Sequence, residues 1–316
     1  MPKRFASALL LSACCTAAAL ACTSALIGAG RSLSGHALLW KHRDTGNVQN
    51  FIARVDASTP DELPYVGLFN AGDSLLREVW VGVNSAGFAV MNTASYNLAP
   101  DTARVRDREG LVMSRALRIC RSVADFAALL DTLPRPLGVQ ANFGVIDSTG
   151  AGAYFETDDR GYVRFDLATD SLLLRTNFSC SGTCGAGLGL ERYAAAEALL
   201  AHRRDISPAL LTDTISRSFH PLPAGGRISV DDRGQYIPRY STSASVVVEG
   251  TTLRVLPGYP PTSPQTYRVT LTDSIPSPLL PEPSRGWTAP AWRRAQKLRD
   301  AHFRVLRGGK IKHVTL

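Results

Sequence analysis

The chain has 316 residues, 45% apolar and 20% charged. These proportions exclude a disordered chain and suit one large core better than two. Its formal charge of +8 is spread widely, without an aromatic-interleaved basic groove or a nucleic-acid motif, which argues against nucleic acid as a partner.

Residues 1–21 read as a secretory leader. Lys3 and Arg4 precede a small and apolar run over residues 5–20, which ends in Ala19-Leu20-Ala21, the pattern that a signal peptidase cuts. Cleavage there leaves an exported chain, periplasmic or secreted, that begins at Cys22. A second reading takes Leu11-Ser12-Ala13-Cys14 as a lipoprotein box, with a lipid anchor on Cys14 and Cys22 internal. The apolar run before Cys14 is short for that and continues past it, which favours the first reading. No later stretch reaches the roughly 20 apolar residues of a membrane span. Cys22, Cys120, Cys180 and Cys184 remain after cleavage, without a C-x-x-C pair or nearby histidines, so no metal and no cofactor is expected. Cys180 and Cys184 are close enough to pair in an oxidising compartment.

The elements then follow in hairpin order. Residues 23–28 and 36–40 are apolar runs joined by a Gly/Ser-rich turn, and strands are expected at 64–69, 79–83 and 88–93, with Asn84-Ser85-Ala86-Gly87 turning between the last two. Helical periodicity takes over at 111–120 and at 123–130, the latter opened by Ser122 as N-cap. Strands resume at 142–147, 152–156, 162–167 and 172–177. Helices are expected at 188–202 and 208–219, the second with Pro208 at its first position, then strands at 243–249, 252–256 and 266–271. A domain over residues 22–272 is followed by a tail, 273–316, made of a Pro-rich wrapping segment and a basic helix at 291–306 expected to be peripheral. Hairpin-linked strand groups with helix pairs between them point to an α+β chain of antiparallel sheets covered by helices.

Cleavage before Cys22 would place a thiol a few bonds from a free α-amine. That amine has an ordinary pKa of about 8, so it can take the thiol proton without a histidine. Position alone does not separate this from a small residue entering a strand. The residues after it do: Cys22-Thr23-Ser24, then LLWKHRDTGN over 38–47. This opening resembles the N-terminal-nucleophile (Ntn) hydrolases related to choloylglycine hydrolase and to the acyl-coenzyme A:6-aminopenicillanate acyltransferases, the C45 cysteine peptidase group. There a second strand carries a basic residue three places before an aspartate; Lys41 and Asp44 match, with lysine where arginine is more frequent. Three later segments extend the likeness. VGVNSAGFAVMNTASYN (81–97) is similar to the family's hairpin leading to the oxyanion site, LLLRTNFS (172–179) to its Thr-Asn strand end, and YIPRYSTSASVVVEG with GYPPTSP (236–264) to its late strand.

The resemblance implies a four-layered αββα sandwich, two antiparallel sheets with helices outside. It implies Cys22 as nucleophile, Asp44 as the residue that holds its amine, and Asn177 and Asn92 as oxyanion donors, with Asn97 second to Asn92. Lys41 and Arg239 would balance local charge. The substrate would be a small-molecule or small-peptide amide, cleaved through an acyl-enzyme that water, or an accepting amine in an acyltransferase, resolves. A catalytically silent exported binding protein of the same fold stays open, since fold does not guarantee chemistry. His42, with His202 and His220, leaves a cysteine–histidine arrangement open as well, without a family signature around the cysteines.

Overall fold

The computed structural model describes residues 22–100, 102–222 and 235–303, with the backbone of two short strands, Arg227–Ile228 and Val314–Thr315. The leader, its Ala19-Leu20-Ala21 pattern and Cys14 lie outside the described residues, as do residues 304–306 of the expected final helix. In chain order the strands are β1 (Thr23–Ile27), β2 (Leu38–Asp44), β3 (Asn50–Val55), β4 (Tyr65–Asn70), β5 (Val79–Asn84), β6 (Ala89–Ala94), β7 (Ala141–Ile146), β8 (Gly152–Thr157), β9 (Tyr162–Asp166), β10 (Leu172–Arg175), β11 (Arg227–Ile228), β12 (Thr242–Glu249), β13 (Thr252–Pro257), β14 (Tyr267–Thr270) and β15 (Val314–Thr315). The helices are α1 (Glu109–Ile119), α2 (Val123–Thr132), α3 (Leu190–Leu200) and α4 (Pro290–His302).

Two antiparallel sheets dominate. The first has the order β10-β1-β2-β12-β13-β14, and the second runs β3 to β9 in sequence order. Alternation along the first sheet decides what faces what. Ala25, Ile27, Leu38, Trp40 and Val247 point outward, where they pack with Ala196 and Leu200 of α3 and with Leu211 and Ile215. Leu26, Leu39, Val246 and Val248 point inward and meet Val81, Met91, Phe143 and Val145 of the second sheet. On the far side of that sheet lie α1, through Met113, Ala116 and Leu117, and α2, through Phe126, Leu129 and Leu130. The result is the expected αββα sandwich.

Local signals explain most boundaries. Ser122 caps α2 in a capping box, its hydroxyl accepting from the Asp125 nitrogen while Asp125 takes the Ser122 nitrogen. The segment expected as a helix over 208–219 instead winds as a π-helical turn, Leu210–Thr214, and a 3-10 turn, Ile215–Arg217. The Ser216 hydroxyl donates to the Leu211 carbonyl there, a side chain entering the backbone ladder, which departs from regular α spacing. The expected strand ending at Asn177 stops at Arg175, and Asn177 sits just beyond it, bridged to Leu188.

Two further departures concern an edge strand and the final helix. Strand β3 has no counterpart in the sequence reading; it is the edge of the second sheet, and its polar start hides the alternation of Phe51 and Ala53. The final helix is not peripheral. Trp292 of α4 is wholly buried in the main core and its indole nitrogen donates to the Ser243 carbonyl at 2.7 Å. Leu279 and Ala289 of the Pro-rich segment join the same core, so the described part of the tail, up to residue 303, packs with the fold. Among the described residues no helix is long and apolar enough to cross a membrane.

Candidate active site

Cys22 stands at the head of β1, 6% exposed. Register pairs Thr23 with His42 and Ser24 with Lys41. Thr23 and His42 therefore share the α3 side, and Lys41 and Arg43 share the inter-sheet side with Ser24. Three contacts fix the surroundings of Cys22. Its main-chain nitrogen donates to Asn177 Oδ1 at 2.9 Å. Its carbonyl accepts from Arg192 Nη1 at 2.6 Å. Its sulfur lies 3.8 Å from the Asp44 carbonyl oxygen.

Asp44 is the last residue of β2 rather than a turn residue, and it is buried. Its Oδ1 accepts from the Thr242 hydroxyl at 2.6 Å, and Arg239 Nη1 comes within 3.7 Å of Oδ2. Thr242 in turn accepts from the Arg239 nitrogen at 2.9 Å. The structure thus gathers Cys22, Asp44, Asn177 and Arg239 around one strand end.

Lys41 is fully buried and donates to Asn92 Oδ1 at 2.6 Å and to the Trp80 carbonyl at 2.9 Å. Both acceptors are neutral. Burial accordingly pulls its ammonium down to about 7, with Cys22 and Glu109 opposing that shift and the Arg43 charge adding to it. Arg43 lies over the Trp80 ring, 4.8 Å from its centre, and donates to Asn50, Asn70 and Ser243. Burial brings its guanidinium down to about 10. Tyr96, whose nitrogen donates to the Asn177 carbonyl at 3.2 Å, is pushed up to about 12 by burial and then by Cys22.

Asn92 faces this group with its oxygen on Lys41. Asn97, the second choice for that role, is committed elsewhere. Its Nδ2 donates to the Ser179 and Thr183 carbonyls and its Oδ1 accepts from the Ser179 nitrogen and the Ser95 hydroxyl, so it pins the loop that follows Asn177. The same loop is held from below by Glu156, which accepts from the Cys180 and Ser181 nitrogens at 2.7 Å each and from Arg175 Nε at 2.6 Å. Cys180 and Cys184, the candidate pair, are both free and exposed.

His42 points to the α3 face, opposite the side that Ser24 and Lys41 take, with Nε2 3.2 Å from the Thr242 hydroxyl. Burial, with Arg192 next, pulls its imidazole down to about 3, so it is neutral. His202 lies past the C-terminal end of α3, about ten residues and about 15 Å of helix rise from Arg192. Among the described residues no group of three or more metal-ligating side chains occurs.

Arg192, Thr242 and Arg43 were not singled out in the sequence. A signal for Arg192 was present: with Ala195, Ala196 and Leu200 it forms the buried stripe of α3, at helical spacing. A guanidinium in an otherwise small apolar stripe marks a residue with buried work to do.

No protein-family model matches the chain, and no curated protein does. Solved structures do. The Caenorhabditis elegans ortholog of N-acylethanolamine-hydrolyzing acid amidase aligns at TM-score 0.50 and 15% identity, over 78% of this chain and 99% of that one. A variant of conjugated bile acid hydrolase from Clostridium perfringens aligns at TM-score 0.50 and 9% identity, over 80% of this chain and 93% of that one. A second mutant of the same hydrolase aligns at TM-score 0.50 and 12% identity, again over 80% and 93%. At these identities the likeness establishes the fold alone, the αββα sandwich of the Ntn hydrolases.

Proposed function

We propose that the protein is an exported amidohydrolase whose nucleophile is Cys22, acting as the first residue of the processed chain on a non-peptide or small-peptide amide. The observation that carries this reading is the seat of Cys22. Its nitrogen rests on the Asn177 oxygen and its sulfur lies beside Asp44, an environment that positions an amine and a thiol together. The amide-cleaving neighbours named above support the reaction class.

In this mechanism the α-amine takes the thiol proton, the sulfur attacks the amide carbonyl, and the ammonium returns the proton to the leaving amine as the C–N bond breaks. Asp44 holds the ammonium. Asn92 and Asn177 donate to the oxyanion through their amide nitrogens, Asn177 dividing Nδ2 between the Ala94 carbonyl and the substrate; one such donor is worth about 3 kcal/mol of barrier. Lys41 and Arg239 compensate the charge that develops. Water, delivered to the thioester with the amine now acting as base, releases the acid and restores the thiol.

The test is to trap the acyl-enzyme. Brief incubation of the exported protein with an activated N-acyl substrate, followed by acid quench and peptide mass mapping, should add one acyl group to the peptide that begins at Cys22. Acylation elsewhere, or none with a panel of amides and thioesters, would favour a silent binding protein. Transfer of the acyl group to an added amine would show an acyltransferase on the same site.

A further inference from the structure

Asn177 stands just beyond β10, and its main chain is pinned on one side. Its nitrogen and carbonyl pair with Leu188, each at 3.1 Å, and the Tyr96 nitrogen donates to the same carbonyl. The residues before and after it are held from the other sheet. Asn142 of β7 is wholly buried. Its Nδ2 donates to the Phe178 carbonyl at 3.1 Å and to the Thr176 carbonyl at 3.4 Å, so it grips the chain on both sides of Asn177. The same nitrogen donates to Thr93 Oγ1 at 3.0 Å, and Asn142 Oδ1 accepts from the Ser179 hydroxyl at 2.6 Å.

An amide is the group this place requires. The two carbonyls can only accept and the Ser179 hydroxyl offers a proton, so the nitrogen must face the first and the oxygen the second. Thr93 is the register partner of Asn142 across β6 and β7, and it follows Asn92 directly in β6. One buried side chain therefore joins the strand that bears Asn92 to the backbone that bears Asn177. Another tie between the same parts, Asn177 Nδ2 to the Ala94 carbonyl at 2.9 Å, draws on the amide that a substrate oxygen would also use. The Asn142 tie leaves that amide untouched. Buried polar groups satisfied in this way hold one arrangement rather than several.

We propose that Asn142 is a positioning residue that fixes the separation of the oxyanion donors Asn92 and Asn177, by tying the backbone on both sides of Asn177 to the strand that carries Asn92. This rests on the reading of those two asparagines as donors. They belong to different sheets, so a small slide of one sheet edge past the other changes the distance between them. A misplacement of about 1 Å at a reacting centre can cost about 10²-fold in rate. The work of Asn142 is confined to steps that build charge on a carbonyl oxygen. Direct displacement at the Cys22 sulfur by an alkyl halide builds none and is indifferent to it.

The experiment compares the wild type with Asn142→Leu, Thr93→Val and Thr93→Ser, all exported and processed. The readouts are cleavage of an N-acyl 4-nitroanilide, inhibition by the aldehyde of the same acyl group, and alkylation of Cys22 by iodoacetamide. Addition of the thiol to the aldehyde puts an oxygen in the oxyanion position; alkylation does not. Asn142→Leu should lower kcat about 10- to 100-fold and weaken the aldehyde by a similar factor, somewhat less than the loss of a donor outright. KM and the alkylation rate should stay within about threefold, a pattern that general loosening of the site would not give. Thr93→Val, which removes only the β6 end of the tie, should lower kcat about three- to tenfold. Thr93→Ser keeps the hydroxyl and should recover it; this pair decides the matter where Asn142→Leu does not fold. A folded Asn142→Leu protein with kcat near the wild-type value overturns the proposal, as does alkylation that falls as far as cleavage. Where Asn142→Leu does not fold, wild-type kcat in Thr93→Val overturns it. Wild-type protein that cleaves no anilide, or unchanged kcat in both Asn92→Ala and Asn177→Ala, overturns the reading of the donors, and the proposal with it.

Discussion

Replacing Cys22 with alanine is expected to lower the rate of amide cleavage about 10⁴-fold or more, because loss of a covalent nucleophile leaves only binding and oxyanion stabilisation. The fold should barely notice. The sulfur makes one long contact, 3.8 Å to the Asp44 carbonyl, so the stability loss should stay within about 1 kcal/mol. Cys22→Ser tests the same point more finely. A hydroxyl fits the space and keeps the amine, but it is a much poorer nucleophile at neutral pH, so its activity should be severely reduced. The measurement is steady-state cleavage by each variant, with correct processing verified by mass and with matched melting curves. Normal turnover by a correctly processed Cys22→Ala protein would remove Cys22 from the chemistry.

The largest effect on stability is expected at Glu156, which lies outside the reacting centre. Its carboxylate binds Arg175 Nε at 2.6 Å, with side-chain exposures of 0% and 4%, and collects two main-chain nitrogens of the loop beyond Asn177. Arg175 lies between the Tyr154 and Phe165 rings, 4.9 Å from each centre, with no room to reach water. Glu156→Ala would leave that guanidinium buried without its carboxylate, which costs about 3–5 kcal/mol. It would also release the loop that holds Asn177 in place. Urea denaturation should therefore show the midpoint fall sharply, with kcat reduced alongside. Glu156→Gln keeps acceptor and shape and should lose less. A loss under about 1 kcal/mol for the alanine variant would mean the loop and Arg175 find other partners.

What could be read in the sequence was what is local. The Cys22 to Asp44 segment carries its spacing in contiguous residues, so the family resemblance could be matched there, although the apolar pattern alone ended the second strand at Trp40 and β2 runs on to Asp44. Asn177 was legible through the same resemblance, in the match of residues 172–179 to a strand that ends in Thr-Asn. Arg239 was legible only through the family resemblance, since nothing local says that it reaches Asp44 across the β2–β12 pair. Arg192 and Thr242 were harder, because their partners lie 170 and 198 residues away. The burial of Arg192 was nonetheless written into the stripe it shares with Ala195, Ala196 and Leu200. The role of α4 was obscured by its charge. Its arginines and Lys297 suggested a solvated helix, whereas Ala291, Trp292, Ala295 and Arg299 are buried, the Trp292 side chain alone worth about 3 kcal/mol. The choice between Asn92 and Asn97 could not be made from spacing. In the structure, hydrogen bonds commit Asn97 to the Ser179 and Thr183 carbonyls, which favours Asn92 in the proposed role.

The mechanism depends on Cys22 having a free amine, and the identity of the first residue of the exported, processed protein tests it most directly. Intact mass and terminal sequencing should give a chain that starts at Cys22 with an unmodified α-amine. A chain that starts at a lipidated Cys14, or that retains residues before Cys22, would deprive the thiol of its base and contradict the mechanism.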